Sequence, residues 1–392
     1  MAVTRASAIW RAGRRPEAII TSDLAGHRGR PTLTIDLDAV VANWRALDAL
    51  GPAETAAAIK ADGYGLGSAE IGPALVSAGC RTFFTATADE ARALRAALGS
   101  TSDRGLGHRV DIFVLNGAPE RFDAIAAADA SPVLNTAEEL RAAAVFGAAR
   151  GVPLRAALQV ETGMNRLGAD LEAVLALPED IRSAVRVDLL MSHLACADDP
   201  KDPMNAAQKQ RFDAAISKLK QRFPEARASL SATGGALAGA DFAYDMVRPG
   251  VGLYGGFPFT EARPVAFLAA PIIRVFDVAE GESSGYGGAW VAKRPSVLAT
   301  IPLGYADGMP RALSNRGVAK VGGVEVPFAG RVSMDLIVLD CTEAPARPKI
   351  GDPATLLDGD LTVDRIATAA DTIGYEILTR LGRRYRRVYR TN

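Results

Sequence analysis

The sequence predicts a TIM-type (β/α)8 barrel, an α/β fold built on a closed parallel sheet, followed by a mostly β C-terminal domain. Two observations support this prediction. Over residues 31 to about 257, short apolar runs alternate with amphipathic stretches, and the number of these units fits a barrel of ~250 residues. After residue 257 the helical periodicity fades, and β-branched runs separated by glycine and proline replace it. A doubly wound open sheet is the alternative for the first part.

The apolar runs are the predicted strands of the barrel. They cover residues 57–59, 82–84, 110–114, 132–134, 156–158, 187–190 and 229–231. Three amphipathic stretches between them, residues 87–98, 136–150 and 205–223, are predicted helices. The second helix has the clearest ends, because Thr136 begins a segment close to a capping box and Gly151 supplies a C-terminal stop.

The C-terminal part has the pattern of a β domain. Residues 296–301 and 336–339 are β-branched runs, and only residues 363–373 show helical periodicity. The chain is therefore predicted to contain an N-terminal extension at residues 1–30, a barrel domain at residues 31–262 and a β domain at residues 263–392.

Composition limits the classes of partner. Lys and Arg together number 45, as do Asp and Glu, so neither a nucleic acid nor an anionic membrane is an expected partner. Three scattered cysteines, Cys80, Cys196 and Cys341, form no CxxC pair and indicate reduced thiols, which predicts a cytoplasmic protein. Residues 1–30 contain a basic cluster but no apolar signal region, and no stretch approaches the length of a membrane span.

Reactive and anion-binding residues follow the predicted strands repeatedly. Lys60, Arg166, His193 and Thr233 come at or soon after the ends of apolar runs, and Arg248 precedes a Pro-Gly pair. In α/β barrels the active site is built at the C-terminal ends of the strands. These five side chains are therefore candidates for one active site.

Lys60 lies directly after the first apolar run, in the segment AIKADGYG. A lysine in this place would be partly desolvated, which lowers its pKa and favours the neutral, nucleophilic amine that Schiff-base chemistry requires. The glycines allow a sharp turn, and Tyr64 can direct its hydroxyl into the same cleft. The alternative for Lys60 taken alone is a surface lysine before a loop.

Eight segments, in this order, resemble motifs of the alanine racemase family, which comprises fold-type III enzymes dependent on pyridoxal phosphate. The likeness extends from about residue 33 to residue 389. The segments are AIKADGYG (58–65), ETGMNRLG (161–168), SHLA (192–195), MVRPGVGLYG (246–255), GYG (285–287), IPLGYADG (301–308), GRVSMD (330–335) and YEILTRL (375–381). Any one of them is weak evidence, but eight in the family's order across both domains form a strong signal.

The resemblance implies pyridoxal phosphate as the cofactor, bound by Lys60 as an internal aldimine. It also implies that His193 belongs to the cofactor site and that several residues contact the cofactor's phosphate. The phosphate-binding positions match Tyr64, Thr233, the backbone N–H groups of Gly250 and Val251, and Tyr375. Glycine suits position 250 because the backbone can approach an anion closely there, although a simple turn after Pro249 is the alternative.

Arg248 matches the residue that faces the pyridine nitrogen of the cofactor. An arginine cannot accept a proton, so this nitrogen should stay neutral, which favours racemisation over other reactions of the cofactor. A structural, salt-bridged arginine is the alternative. By resemblance, Lys60 and Tyr286 are the two catalytic acid–base residues on opposite faces of the substrate. His193, linked to Arg248, would lower the pKa of Tyr286, whereas a histidine taken alone is more often part of the core.

The position of Tyr286 in the β domain has a consequence for assembly. In the family this domain covers the partner subunit's site, so the resemblance implies a head-to-tail homodimer with shared active sites. Arg166 and the Met334 backbone N–H would bind the substrate carboxylate. Tyr305 and Tyr375 match an entrance gate, which favours a small amino acid; ordinary core packing is their alternative.

The implied activity is therefore the interconversion of L- and D-alanine, which supplies D-alanine for peptidoglycan or degrades it. Two positions depart from the family's pattern. Gln159 replaces a lysine that many relatives carry in modified form next to the substrate-binding arginine, and Ala232 replaces a frequent asparagine. A glutamine offers Arg166 only a neutral acceptor, so we expect activity without carbon dioxide. The same change leaves room for a broader racemase that also accepts amino acids such as serine.

Rival functions lack their required residues. A decarboxylase of the same barrel type should have a carboxylate at position 248 and a catalytic cysteine in its β domain, and Cys341 lies in no such motif. A non-catalytic carrier of pyridoxal phosphate should lack the domain that supplies Tyr286. No metal is expected, because His193 and Cys196 have no partner at ligand spacing. The sequence contains neither a P-loop nor a GxGxxG motif.

Overall fold

The computed structural model describes residues 30–99 and 109–391, which form two compact units. The barrel unit spans Leu37–Arg263, and the strand-rich unit combines residues 30–36 with Pro264–Arg390. Apart from Arg30, the predicted extension at residues 1–30 lies outside the described residues.

The barrel unit contains a parallel sheet whose strands follow each other in chain order. The strands are Ala57–Ala58, Thr82–Thr85, Asp111–Val114, Ser131–Leu134, Leu154–Gln159, Val185–Met191 and Arg227–Ser229. Two short strands, Glu54–Thr55 and Met246–Val247, pair with each other in parallel. Each predicted apolar run therefore contributes residues to a strand.

Backbone hydrogen bonds close this sheet into a barrel. On one side of Met246–Val247, the N–H of Arg248 donates to the carbonyl oxygen of Ser231 at 2.8 Å. On the other side, the N–H of Ala56 donates to the carbonyl oxygen of Val247 at 2.9 Å. Because the eighth strand bonds to both the last and the first strand of the sheet, the predicted eight-stranded barrel is confirmed and the open-sheet alternative is wrong.

Helices connect the strands of the barrel unit. They are Leu37–Asp48, Lys60–Tyr64, Ser68–Ala78, Ala88–Leu98, Phe122–Ala127, Ala137–Arg150, Leu171–Leu175, Glu179–Ser183, Pro203–Leu219 and Thr233–Leu237. The helix predicted at residues 136–150 begins as expected, because the Thr136 hydroxyl accepts a hydrogen bond from the Glu139 N–H at 3.0 Å. It ends at Gly151, whose φ of 69° is left-handed.

The helix predicted at residues 205–223 lies at Pro203–Leu219, so both predicted ends were wrong. Asp202 caps it, accepting a hydrogen bond from the Met204 N–H at 2.8 Å, and Pro203 occupies the first helical position. This Asp-Pro start signal was overlooked.

Helices and strands enclose one core cluster in this unit, with Leu140, Leu158 and Phe212 fully buried. Burying a side chain of this size stabilises the fold by about 1.5–3 kcal/mol.

The strand-rich unit is built on three sheets. The largest has the strand order Val324–Pro327, Val318–Val321, Pro353–Leu357, Ala266–Pro271, Thr32–Asp36 and Arg386–Arg390. A second sheet contains Arg274–Val278, Ser296–Ile301 and Ile337–Asp340, and a hairpin pairs Ser283–Ser284 with Trp290–Val291. The prediction of a mostly β second part is confirmed. Its largest sheet also includes Thr32–Asp36, which precedes the barrel unit in the chain.

The helix predicted at residues 363–373 is present at Val363–Ala370, so its predicted end is wrong, and a second helix that was not predicted follows at Gly374–Arg380. Asp371 ends the first helix in a left-handed conformation, with φ of 57°. A Cβ atom at Gly374 would lie 2.3 Å from Oδ1 of Asp364, so a larger residue there would require the Asp364 carboxylate to move. Across residues 30–99 and 109–391, no helix has both the length and the hydropathy for a bilayer crossing.

Candidate active site

Lys60 lies at the C-terminal end of the strand Ala57–Ala58 and is half-buried. Burial lowers the pKa of its amine below the usual 10.5, and the positive charges of Arg166 and Arg248 lower it further. The negative charge of Glu90 opposes this shift. A larger fraction of the amine is therefore neutral at a given pH than in a solvated lysine, as expected for a nucleophile.

A left-handed turn follows Lys60 directly. The φ angles are 53° at Ala61, 54° at Asp62, 63° at Gly63, 55° at Tyr64 and 81° at Gly65. For a residue with a side chain, the left-handed conformation costs roughly 1–2 kcal/mol. Three of these residues are not glycine, so the turn persists only because neighbouring groups hold it.

Hydrogen bonds inside the turn and from its own side chains stabilise it. The Gly63 N–H donates to the Ile59 carbonyl oxygen at 2.9 Å. Oδ1 of Asp62 accepts from both the backbone N–H of Ser68, at 2.8 Å, and its hydroxyl, at 2.9 Å. The Asp62 carboxylate thus binds the first N–H of the following helix, Ser68–Ala78, and ties the turn to it.

Three of the predicted phosphate-binding residues meet at one place. The ring of Tyr64 is buried and stacks on Tyr254, with 4.6 Å between the centroids. A Cβ atom at Gly250 would lie 2.1 Å from the Tyr64 hydroxyl oxygen, so close approach of the backbone requires glycine there. The Gly250 N–H donates to the Thr233 hydroxyl at 3.1 Å. The Val251 N–H donates to no acceptor among the described residues.

This arrangement fits the phosphate of pyridoxal phosphate. It brings together two hydroxyl groups, of Tyr64 and Thr233, and the Val251 N–H, next to a glycine whose own N–H is bonded to the Thr233 hydroxyl. Lys60 follows the strand Ala57–Ala58, and the N–H of Ala58 donates to the carbonyl oxygen of Pro249, next to Gly250. The chemistry of these donors and the half-buried amine matches that cofactor.

Arg248 is a buried cation, with 5% of its surface exposed. Its Nη2 donates to the carbonyl oxygen of Ser192 at 2.6 Å, and its Nη1 donates to the hydroxyl of Ser229. Burial lowers the pKa of Arg248 to about 9, which leaves it charged at neutral pH. No carboxylate in the described part of the chain pairs with it, so the alternative of a salt-bridged arginine is wrong.

His193 lies against Arg248, with 3.5 Å between its Nδ1 and the arginine Nη2. Burial lowers the pKa of His193 to about 3, and the charges of Arg248, Arg166 and Lys60 act in the same direction. The imidazole is therefore neutral at physiological pH. Because a guanidinium only donates, Nδ1 is the acceptor and Nε2 is assigned the proton. The predicted link between His193 and Arg248 is present.

Arg166 lies in a loop that is closed by backbone hydrogen bonds, one of them from the Ala169 N–H to the Gln159 carbonyl oxygen at 2.8 Å. Its side chain is exposed and has no hydrogen bond or ion pair within the described residues. The expected contact between Gln159 and Arg166 is not made within the described residues; the Gln159 amide nitrogen donates to the carbonyl oxygen of Leu167 at 3.1 Å. Ala232, the other departure from the family pattern, precedes the helix Thr233–Leu237 and its methyl group provides no cap.

Sequence reasoning overlooked Gln208, which is fully buried on the helix Pro203–Leu219. Its Nε2 donates to the Thr162 hydroxyl at 3.3 Å and to the His193 carbonyl oxygen at 2.9 Å, and its Oε1 accepts from the Ala195 N–H at 2.8 Å. It thereby joins the loop that carries Arg166 to the loop that carries His193. A signal was available, because positions 205, 208, 212, 215 and 219 form one helical face, on which Asn205 and Gln208 are polar.

The remaining candidates lie in the strand-rich unit. Tyr286 begins a 3-10 turn and is 69% exposed, and Tyr305 and Met334 are 43% and 53% exposed. The Tyr305 N–H donates to the Ser333 carbonyl oxygen at 3.0 Å, so Tyr305 and Met334 are neighbours. Tyr375 is half-buried on the helix Gly374–Arg380. Tyr305 is too exposed to belong to the core, so the alternative of ordinary core packing is wrong for this residue.

Cys341, the cysteine relevant to a decarboxylase, is buried in the same unit. Burial raises the pKa of its thiol to about 11, so the thiol is protonated at neutral pH. This is the opposite of the lowered pKa that a reactive cysteine requires. Among the described residues, no group of histidine, cysteine, aspartate and glutamate side chains has the arrangement of a metal site.

Comparison with known proteins shows similarity along nearly all of the chain. Residues 35–258 match the family model of the alanine racemase N-terminal domain, and residues 265–389 match that of the alanine racemase C-terminal domain. An alanine racemase of Cereibacter sphaeroides is 46% identical over 364 residues, which are 91% of this chain and 97% of that protein. An alanine racemase of Methylobacterium nodulans is 45% identical over 365 residues, which are 91% and 95% of the two chains.

Solved structures give the same result. The crystal structure of alanine racemase from Bartonella henselae, with covalently bound pyridoxal phosphate, has a TM-score of 0.84 at 35% identity. The match covers 92% of this chain and 100% of that one. Alanine racemase from the D-cycloserine-producing Streptomyces lavendulae has a TM-score of 0.84 at 32% identity, with 93% and 98% covered.

Proposed function

The chain belongs to the alanine racemase family, and from this premise we propose that Lys60 and Tyr286 are the two catalytic residues of the enzyme. It is an isomerase dependent on pyridoxal phosphate that interconverts L- and D-alanine. The single observation that carries the assignment of Lys60 is its place at the end of the first barrel strand, half-buried, with a lowered pKa and close to the cradle around Gly250.

Pyridoxal phosphate, when bound to an amino acid, withdraws electrons from its α-carbon and so acidifies the α-hydrogen. We propose that Lys60 binds this cofactor covalently. The proposed phosphate ligands are Tyr64, Thr233, the N–H groups of Gly250 and Val251, and Tyr375. The hydroxyl and N–H donors around Gly250 support this assignment, since a phosphate dianion needs several donors and tolerates no side chain at their centre.

We propose that Arg248 faces the ring nitrogen of the cofactor. A guanidinium has only N–H donors and no acceptor. A ring nitrogen that faces it would accept a hydrogen bond and would therefore carry no proton of its own. Its contacts with the Ser192 carbonyl and the Ser229 hydroxyl hold it in one orientation. The weaker electron withdrawal that results favours return of a proton to the α-carbon over competing reactions.

Racemisation requires removal of a proton on one face of the α-carbon and delivery on the other. The neutral amine of Lys60 is suited to one face, and we assign the other face to the Tyr286 phenol. A solvated tyrosine has a pKa of ~10, so it is mostly protonated at neutral pH. A tyrosine that acts as a base therefore benefits from a hydrogen-bond donor to its phenol oxygen. Nε2 of neutral His193, which carries the proton, is the donor that we propose.

We propose that the enzyme is a head-to-tail homodimer in which Tyr286 reaches the barrel of the partner subunit. Tyr286, Tyr305 and Met334 are all strongly exposed in the single chain, as residues that complete a partner's site would be. The Met334 N–H donates to no acceptor within the described residues, which supports its role, together with Arg166, in binding the substrate carboxylate. Tyr305 and Tyr375 are the proposed gate.

The division of labour that we propose assigns most of the cofactor binding to the barrel unit, Leu37–Arg263, and coverage of the partner's site to the strand-rich unit, residues 30–36 with Pro264–Arg390. We also propose that the enzyme acts in the cytoplasm and supplies D-alanine for peptidoglycan. Three free thiols, at Cys80, Cys196 and Cys341, support a reducing compartment. Deletion of the gene should make growth depend on added D-alanine if the role is biosynthetic.

One experiment tests the function and the site together. The purified protein is incubated with single L-amino acids in deuterated water, and chirality and α-hydrogen exchange are followed. Alanine should racemise fastest, with deuterium at the α-carbon. Borohydride reduction followed by peptide mapping should place the cofactor on Lys60; an unmodified Lys60 in active, fully loaded protein would contradict the assignment.

A further inference from the structure

Glu90 connects the first two barrel strands at the end where Lys60 lies. It occupies the third position of the helix Ala88–Leu98, which follows the second strand. Its Oε1 accepts a hydrogen bond from the Ala61 N–H at 3.0 Å, and its Oε2 accepts from the Ala86 N–H at 2.7 Å. One carboxylate thus binds the first residue of the left-handed turn and the residue directly after the second strand, Thr82–Thr85.

Another glutamate in the barrel unit has the same local role without this contact. Glu139 is the third residue of the helix Ala137–Arg150, and its Oε2 accepts from the Asn135 N–H at 2.5 Å. Each of the two helices is also capped by a threonine, Thr87 or Thr136. The backbone contacts of Glu139 thus stay at the start of its own helix, whereas the second oxygen of Glu90 has a partner, Ala61, in the turn after the neighbouring strand.

We propose that Glu90 is a positioning residue for Lys60, which holds the left-handed turn by binding the Ala61 N–H. The inference rests on the proposed role of Lys60. Ala61 is the first residue of the turn with positive φ, so the backbone changes from its strand direction at this residue. A hydrogen bond to the Ala61 N–H holds the start of the turn. A fixed turn sets the direction of the Lys60 side chain and carries Tyr64 back to the backbone at Gly250.

The charge of Glu90 gives the proposal a second consequence. Lys60 shares this end of the barrel with three potentially cationic side chains, Arg166, Arg248 and His193, of which the histidine is neutral. Of the groups that shift the pKa of Lys60, Glu90 alone raises it. Glu90 therefore limits how far the pKa of the amine falls, in addition to holding the backbone next to it.

The test compares Glu90→Gln with Glu139→Gln. Glutamine keeps the size of glutamate but has one acceptor oxygen, so in Glu90→Gln either Ala61 or Ala86 loses its acceptor. We expect kcat/KM to fall about tenfold, as for the loss of one charge-assisted hydrogen bond. Amide hydrogen exchange of residues 61–65 in the holoenzyme should accelerate. The midpoint of the pH titration of cofactor absorbance should move to lower pH. Glu139→Gln should change none of these three quantities.

A rescue variant separates the turn from helix capping. Glycine adopts positive φ without the cost that alanine incurs, so Ala61→Gly in the Glu90→Gln background should restore part of the protection of the turn and part of kcat/KM. It should not restore the titration midpoint, which depends on the charge. The proposal is overturned if Glu90→Gln matches Glu139→Gln in exchange and titration, or if Ala61→Gly recovers nothing.

The unmodified holoenzyme gives an independent check that does not depend on the folding of a variant. The Ala61 N–H should be protected from exchange, since it is bound to a carboxylate; rapid exchange there would also overturn the proposal. This result differs from a failure of the proposed function. Borohydride mapping tests whether Lys60 carries the cofactor, whereas amide exchange tests the contact between Glu90 and Ala61 whatever Lys60 does.

Discussion

Nη2 of Arg248 lies 3.5 Å from Nδ1 of His193, and this contact places a permanent cation beside an imidazole at the centre of the barrel unit's site. The histidine is neutral because burial and the nearby positive charges both disfavour its protonated form. A neutral imidazole that accepts at Nδ1 presents an N–H at Nε2, which is the group that we propose as donor to Tyr286.

The first prediction concerns pH. The pKa of His193 is about 3 in the folded chain and 6.5 in the unfolded chain, so between these values only the unfolded chain binds the proton. Stability should therefore be complete above pH 6.5 and should fall as the pH decreases toward 3. Each pH unit in that window costs up to ~1.4 kcal/mol. Urea unfolding of the holoenzyme at several pH values should show this slope, and His193→Gln should make it shallower. Equal slopes would refute the assignment.

The second prediction tests shared active sites. Lys60→Ala and Tyr286→Phe chains should each be nearly inactive alone. When their subunits exchange, half of the dimers are hybrids with one intact site out of two, so activity should recover to about a quarter of the wild-type value. Self-mixtures of each variant are the control. Lack of recovery, with subunit exchange demonstrated, would show that the sites are not shared.

The third prediction concerns the phosphate cradle. In Gly250→Ala the new Cβ atom would lie 2.1 Å from the Tyr64 hydroxyl oxygen, so one of the two groups must move. We expect the dissociation constant of pyridoxal phosphate to rise at least about tenfold, the effect of losing one good polar contact. Gly51→Ala is the control, because its Cβ would meet no atom within 4 Å. Equal cofactor affinity in both variants would contradict the assignment of this cradle.

The fourth prediction concerns Gln208. Leucine at this position leaves the Thr162 hydroxyl, the His193 carbonyl and the Ala195 N–H without their partner. We expect a loss of about 2–5 kcal/mol in the free energy of unfolding, measured with urea, and a higher KM for alanine as the Arg166 loop loosens. Gln221→Leu is a suitable control, since Gln221 is exposed. A destabilisation no larger than that of the control would refute the role of Gln208.

The fifth prediction concerns carbon dioxide. Gln159 donates to the Leu167 carbonyl oxygen, and a glutamine has no amine that carbon dioxide could modify, so the loop that carries Arg166 is held without a modified lysine. Added bicarbonate at constant pH should leave kcat/KM unchanged. Gln159→Lys, which restores an amine that can be modified, is the comparison in which a response is possible. A bicarbonate-dependent rate in the unchanged enzyme would be evidence against this account.

Much of the fold was predictable because hydrophobic periodicity and helix-capping residues, which are local patterns, indicate the type and order of its elements. The alternation of apolar runs with amphipathic stretches determined the barrel, and Thr136 and Gly151 determined the ends of a helix through short-range hydrogen bonds. Errors arose where a local signal was overlooked, as at Asp202, or where a side chain adopts a left-handed conformation, as at Asp371. Only residue types and spacing enter such predictions, so a left-handed aspartate is not visible in them.

The sequence by itself determined the two-part α/β and β architecture, the family and the candidate residues of the site, because periodicity and motif order are properties of the chain. Only the tertiary structure decided that Thr32–Asp36 joins the strand-rich unit, that Gln208 ties two loops together and that Glu90 binds the turn after Lys60. The physical reason is that such contacts join residues far apart in the chain: Glu90 and Ala61 are 29 positions apart, and Gln208 and Thr162 are 46 positions apart. Their partners are brought together by the pairing and packing of elements distant in the chain, which no local pattern specifies.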